Sequence, residues 1–145
     1  MRHVLPTLGL LVLTACTAQS VQDRRVIEAT AKVVRPGMRV SDVLQFAESR
    51  RGGATAPRVR VEQCEGVAYR ILERDAIGYA MLRNERPLYV DSRERLATRE
   101  AAFELVDRLS VGCRDVAVAS GVSAVWMELD AQGRVRAIRK QVHGS

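Results

Sequence analysis

The chain opens with an apolar run from Val4 to Leu13, and only afterwards does its hydrophobic pattern become periodic. Val26, Ile27, Thr30, Val33 and Val34 recur at helical spacing, with Arg25, Glu28 and Lys32 elsewhere on the wheel. This predicts a first helix over 22–34, ended by Pro36-Gly37. Ser41 is a suitable N-cap and Asp42 suits the positive end of the dipole. A second helix to Arg50 then buries Val43, Leu44 and Ala47. The segment 51–57 has the composition of a loop. From Arg58 to Cys64 the period drops to two, with Val59, Val61 and Gln63 facing one way and Arg58, Arg60 and Glu62 the other, the mark of a half-buried strand.

Residues 67–83 fit either a helix broken near Gly78 or two strands around Asp75, and the aromatic and branched residues favour the strands. Pro87 interrupts, and Leu88-Tyr89-Val90 is an edge-strand candidate. Asp91 with Glu94, or Thr98 instead, supplies a cap for a helix carrying Leu96, Phe103, Val106 and Leu109, closed by Gly112. Cys113–Ala119 and Val122–Leu129 read as strands; in the second, Trp126 and Glu128 oppose Val125, Met127 and Leu129. Asp130-Ala131-Gln132-Gly133 is a hairpin turn that returns the chain as a last strand over 135–142. The expected fold is α+β: two N-terminal helices, then a mostly antiparallel sheet interrupted by one helix and ending in a β-hairpin.

The opening run is twelve residues from Val4 to Ala15, where a membrane-spanning helix needs about 20. A buried core helix suits it less, since Pro6 would break it early and it has no polar face. One basic flank before a short apolar core is the shape of a secretory signal. It closes on Leu13-Thr14-Ala15-Cys16, which resembles the lipobox of a bacterial lipoprotein signal peptide. The resemblance implies that 1–15 is removed, that Cys16 carries lipid, that 16–22 is a short tether, and that 23–145 forms one domain. A simple secretory cut after Ala18 is the alternative. In the sorting pattern this resembles, an aspartate after the cysteine favours the inner membrane. Thr17 stands there, which points to the periplasmic face of the outer membrane.

Without residues 1–15 the chain keeps 130 of its 145 residues, enough for one domain with a real core. The formal charge falls from +6 to +5, because the segment holds Arg2 and no acid. Lys32 and Lys140 are the only lysines, so the cations are nearly all arginine, which suits bidentate contact with phosphate or carboxylate. Arg58 and Arg60 share one strand face, and Arg134, Arg136 and Lys140 another. Were those strands neighbours, they would form a basic patch for an anionic envelope polymer or protein. Nucleic acid is not expected, since valines stand where stacking aromatics would be needed.

Catalytic groups are few. His143, the one histidine beyond the signal segment, lies near the C-terminus. Gly121-Val122-Ser123-Ala124-Val125 has half of a nucleophile elbow but leads into a strand. Cys64 and Cys113 have no histidine beside them, and no metal spacing or glycine-rich phosphate loop exists, so neither metal nor cofactor is expected. The carboxylate pairs Asp23–Glu28, Glu100–Glu104 and Glu128–Asp130 all have arginine neighbours, as solvated faces do.

Two stretches resemble the SmpA/OmlA family of small outer-membrane lipoproteins. Arg35-Pro36-Gly37-Met38-Arg39-Val40-Ser41-Asp42-Val43 is similar to that family's Pro-Gly-Met turn opening its second helix. Met127 to Val135 is similar to its closing hairpin. The chain differs in Arg51-Gly52-Gly53, where the family has a Gly-x-Pro turn, and in its helix over 96–109. The resemblance implies a non-catalytic, partner-binding module of the envelope. The reading is therefore a membrane-anchored scaffold or interaction lipoprotein. The alternatives are a small-ligand or lipid binder and a small carboxylate enzyme.

With Cys16 committed to lipid, Cys64 and Cys113 remain as a pair in an oxidising compartment and are expected to form a disulfide. Such a bridge stabilises by about 3–4 kcal/mol on a chain-entropy estimate. Thiol alkylation of the unreduced, denatured mature protein followed by mass spectrometry should find neither cysteine modified; two alkylated thiols would rule the bridge out.

Overall fold

The computed structural model describes the backbone of residues 4–51, 59–63, 68–75, 78–83, 86–88 and 99–144, and the side chains of 19–51, 59–63 and 100–144. Among the described residues, three helices and seven strands follow in the order α1 (Val4–Val33), α2 (Val40–Arg51), β1 (Val59–Gln63), β2 (Ala68–Asp75), β3 (Gly78–Arg83), β4 (Arg86–Leu88), α3 (Arg99–Ser110), β5 (Asp115–Ser120), β6 (Ser123–Leu129) and β7 (Val135–Val142). The strands form one sheet, ordered β4-β3-β2-β1-β5-β6-β7, with every pair antiparallel. This is the α+β fold that the sequence pattern predicts, with helices first, one helix interrupting the sheet and a hairpin at the end.

The helices pack on one face of the sheet. Val26, Ile27, Ala31 and Val34 of α1 and the segment after it meet Val43, Leu44 and Ala47 of α2, Phe103 and Val106 of α3, and the inward valines of β1, β5 and β6. Ile27, Leu44, Val106, Val118, Val125 and Met127 are almost fully buried. At roughly 1.5–3 kcal/mol for each side chain fully removed from water, this cluster is the main source of stability. Buried and half-buried residues alternate along β6, so Trp126 and Glu128 face away from Val125, Met127 and Leu129 as the period-two pattern requires.

Four boundaries differ from the sequence reading. The first helix begins at Val4, eighteen residues before Gln22, and runs unbroken through Cys16 and the expected tether. Pro6 does not stop it, because the third position of a helix has no intrahelical acceptor for its N–H. The edge strand spans Arg86–Leu88 and so includes Pro87, which is tolerated where no further strand needs its N–H. The helix expected over 96–109 starts, in the described residues, at Arg99 and ends at Ser110; the predicted caps Asp91, Glu94 and Thr98, with Leu96, lie outside them. The strand expected from Cys113 begins at Asp115, because Cys113 N–H is spent on the turn, donating to Ser110 O at 3.1 Å.

A fifth difference concerns capping. Ser41 does not cap α2. Arg39 holds that position: its carbonyl accepts from Asp42 N–H at 3.1 Å, and the Asp42 carboxylate accepts from Arg39 N–H at 3.1 Å. This is the returning half of a capping box. Ser41 sits inside the first turn, and both its N–H (2.9 Å) and its hydroxyl (2.6 Å) donate to the Asp107 carboxylate of α3. A side chain 66 residues away thus satisfies one of the helix's four orphan donors.

The closing hairpin depends on glycine for two reasons. Gly133 has φ +79, and a Cβ there would sit 3.1–3.3 Å from Val111, which follows α3. Asp130 Oδ1 accepts from the N–H groups of Gln132 and Arg134, both at 2.9 Å, and closes the turn. Beyond Val135 the side chains of β7 are exposed; Arg136, Arg139 and Lys140 along this sheet edge discourage pairing with another chain.

Asp107→Ala removes the cap that joins α2 to α3 and should lower stability by about 1–2 kcal/mol in thermal or urea unfolding, while Asp107→Asn, retaining one acceptor oxygen, loses less. Unchanged melting of the alanine variant would show that the contact is dispensable.

Candidate functional site

α1 connects the two ends of the domain. At Asp23 it crosses the β5–β6 turn so closely that a Cβ on Gly121 would run into the Asp23 carboxylate. After α1 ends, Gly37 N–H donates to Val135 O at 2.8 Å and Val135 N–H to Met38 O at 2.9 Å, at the far end of the sheet. The helix therefore runs along the strands, and the residues before Asp23 extend beyond the β5–β6 turn. Cys16 is seven residues before Asp23, about 10 Å further out along the helix axis. The molecule has an end that leads to Cys16 and an opposite end formed by the α2 N-terminus, the α3 C-terminus and the β6–β7 turn.

At the first end lies a buried polar triad. Arg51 Nη1 donates to Asp23 Oδ1 and, at 2.7 Å, to Ser120 Oγ. Ser120 Oγ donates to the same Asp23 oxygen at 2.6 Å. Gln22 Nε2 adds a bond to Arg51 O at 3.1 Å. Asp23, Arg51 and Ser120 are each almost completely buried. Although Ser120 directs its proton at a carboxylate, Arg51 occupies both groups and the hydroxyl is closed off from any substrate, so the geometry serves structure. It ties α1, the last residue of α2 and the last residue of β5 to one point.

At the opposite end, Arg39, Asp107, Arg108, Val111, Gln132, Gly133 and Arg134 line an open cleft of about 180 Å³. Arg39 Nη2 pairs with Asp42 Oδ1 at 3.1 Å, and Arg134 Nη1 donates to Gly37 O at 2.9 Å. The Asp42 hydrogen bond, followed by the charges of Asp42 and Asp107, raises the Arg39 guanidinium above its ordinary value. Burial acts to raise Asp42, but hydrogen bonds from the Arg39 side chain and N–H, together with the charges of Arg39 and Arg134, outweigh it and hold the carboxyl below the usual carboxylate range. Val111, just over half exposed, gives the cleft an apolar lip. Three guanidinium groups and an amide around an apolar rim suit a carboxylate-bearing partner, with Asp107 limiting how much negative charge the cleft accepts.

The residues predicted from sequence are scattered between these features. The basic strands do not meet: β5 and β6 separate β1 from β7. Arg60 spends its charge on Glu62 at 2.8 Å, and Lys140 lies 5.7 Å from the Trp126 ring centroid. Arg136 is exposed on the β7 edge, and Arg134 joins the distal cleft instead. Arg58 and Cys64 lie outside the described residues, while Cys113 is half-buried against the core. Cys16 lies within α1. Of the carboxylate pairs, Asp23–Glu28 separates: Asp23 turns inward while Glu28 pairs with Arg24 at 3.0 Å on the surface. Sequence reading missed Arg51, Ser120 and Asp107, whose partners are 28 to 97 residues away. Comparison with known protein families, curated proteins and solved structures returns no match.

Removing one member of a buried ion pair leaves an uncompensated buried charge and costs about 3–5 kcal/mol. Arg51→Met and Asp23→Ala should each destabilise by that order, whereas the double variant should lose clearly less than the two combined. Additive losses in urea unfolding would mean that the pair is not coupled.

Proposed function

We propose that this protein is a lipid-anchored component of a bacterial envelope, held by Cys16 and acting as a non-catalytic interaction module. The observation that carries the reading is the continuity of α1: one helix contains the lipobox cysteine and, ten residues on, the core positions Val26 and Ile27. Lipid at Cys16 would be joined to the domain through a helix, and each buried methylene of such a lipid contributes about 0.8 kcal/mol to membrane attachment. Because Thr17 follows the cysteine, the proposed location is the periplasmic face of the outer membrane.

The two stretches that resemble the SmpA/OmlA lipoproteins lend support, because they touch. Gly37 and Met38 exchange backbone hydrogen bonds with Val135, and Arg39 forms a bridge with Arg134. They build the distal end together, around the cleft of Arg39, Arg108 and Arg134. An anchored domain would present this end away from its membrane, as the contact surface for an acidic segment of an envelope protein or an anionic envelope polymer.

Cells producing the full chain and fed labelled palmitate should incorporate label, and Cys16→Ser should abolish it and release the protein from the membrane fraction. An unlabelled parent chain recovered in the soluble periplasm would exclude the anchor.

A further inference from the structure

Large apolar side chains are exposed at few described positions, and three of the five lie at the end of the domain that leads to Cys16. Val122, in the β5–β6 turn, is 67% exposed; Val21 and Val142 are 42% and 41% exposed. Their grouping follows from the fold. Val142 pairs with Ala124 across β6 and β7, and a Cβ on Gly144 would collide with the Val122 side chain. Val21 stands two residues before Asp23, whose carboxylate abuts Gly121. The turn and the tail therefore form one rim around the exit of α1.

Arginine predominates among the charges around this rim, with Glu48 of α2 a half-buried exception. No acidic residue occurs in 116–127 or in 131–145. The nearest acid on α1, Asp23, is buried and matched by Arg51, and Glu28 is matched by Arg24. Arg25 and Arg50 are exposed within a turn or so of the triad, and Arg50 lies 5.8 Å from the Phe46 ring centroid. An apolar tip flanked by arginines is the composition that meets a bilayer interface, with valine reaching the acyl boundary and guanidinium the phosphates.

We infer that this rim, with Val122 at its tip and Arg25 and Arg50 beside it, seats the domain directly on an anionic phospholipid surface. The inference rests on the anchored reading, which places the rim about 10 Å from the lipidated residue along a continuous helix. A helix that short holds the rim at headgroup depth, where an extended chain of the same seven residues would allow the domain to stand more than 20 Å away. The occupant is therefore the membrane itself, and not a second copy of the chain or a soluble partner.

The test uses the full chain purified from envelopes and reconstituted into vesicles of brominated phosphatidylglycerol or brominated phosphatidylcholine, with Cys16 lipidation read by mass spectrometry. Trp126 alone gives the baseline quenching. Val122→Trp should be quenched at least twofold more than Val111→Trp at the distal end, and more strongly in phosphatidylglycerol. Arg25→Glu with Arg50→Glu should return it toward baseline while the circular dichroism of the fold is unchanged. Lipidated protein in which Val122→Trp is quenched no more than Val111→Trp overturns the inference and leaves the anchor standing. The same holds if cross-linking shows the valines covered by a second copy. If Cys16 is unmodified, the anchored reading fails instead, and mixing that protein with the two vesicle types decides the rim separately: binding to phosphatidylglycerol alone supports it, and binding to neither removes it.

Discussion

The Asp23 carboxylate, set between Arg51 and Ser120, fixes how the helical layer sits on the sheet. Apolar burial brings the layers together but is nearly indifferent to small slides of one helix past another, since valine against valine fits in several registers. A buried charge pair is not indifferent, because any slide that separates it leaves each ion without its partner in a low-dielectric interior. Here one oxygen of Asp23 receives both Arg51 and Ser120, so α1, α2 and β5 share a single point of registry. Gly121 completes the arrangement by omitting the side chain that would displace the carboxylate.

A second polar link, Asp107 to Ser41, does the same at the opposite end for α2 and α3. Between the two links, α2 is held at its last residue by Asp23 and near its first by Asp107, while its apolar stripe of Val43, Leu44 and Ala47 fills the space in between. The layout separates roles along the chain axis. The end near Cys16 has Asp23 neutralised internally and valines flanked by Arg25 and Arg50 outside, whereas the distal end keeps arginines in an open cleft. An isotropic soluble domain has no need of that polarity; a domain with a fixed orientation does.

What the sequence makes legible follows from the range of the interactions involved. Period-two alternation in β1 and β6, the β6–β7 turn and the C-terminal ends of α1 and α2 are set by neighbours a few residues apart, and each stands within a residue of where the pattern puts it. Strand order is set by pairing across the chain. The placement of β5 and β6 between β1 and β7 keeps Arg60 away from Arg134, although the pattern finds both strands. Asp23 reads as part of a solvated face and Ser41 as a cap because local statistics place them there, and the pattern gives Arg51 and Asp107 no site role; their actual partners are 28 to 97 residues distant. The distal cleft was likewise half visible. Its Arg134 stood in the expected basic set, but Arg39 and Arg108 come from two helices that only the tertiary fold brings to the hairpin.

The helical state of residues 16–22 alters the physical meaning of an anchor at Cys16. An extended polar linker gives a domain reach and free rotation, and its orientation averages out. A helix continuous with the core transmits direction: the rise of about 1.5 Å per residue fixes the stand-off, and rotation of the domain about the anchor requires bending the helix or breaking its hydrogen bonds. Arg24, Arg25 and Glu28 all ride on the same helix, so with lipid at Cys16 the charges nearest the membrane would be positioned by the backbone that carries that cysteine. A chain built this way gains no reach by lengthening its tether one residue at a time, because each inserted residue also rotates the domain by about 100°. In the proposed arrangement the length of 16–22 would constrain which face of the domain meets the bilayer, and the valine rim is the face that the present length, together with the triad at Asp23, would turn toward it.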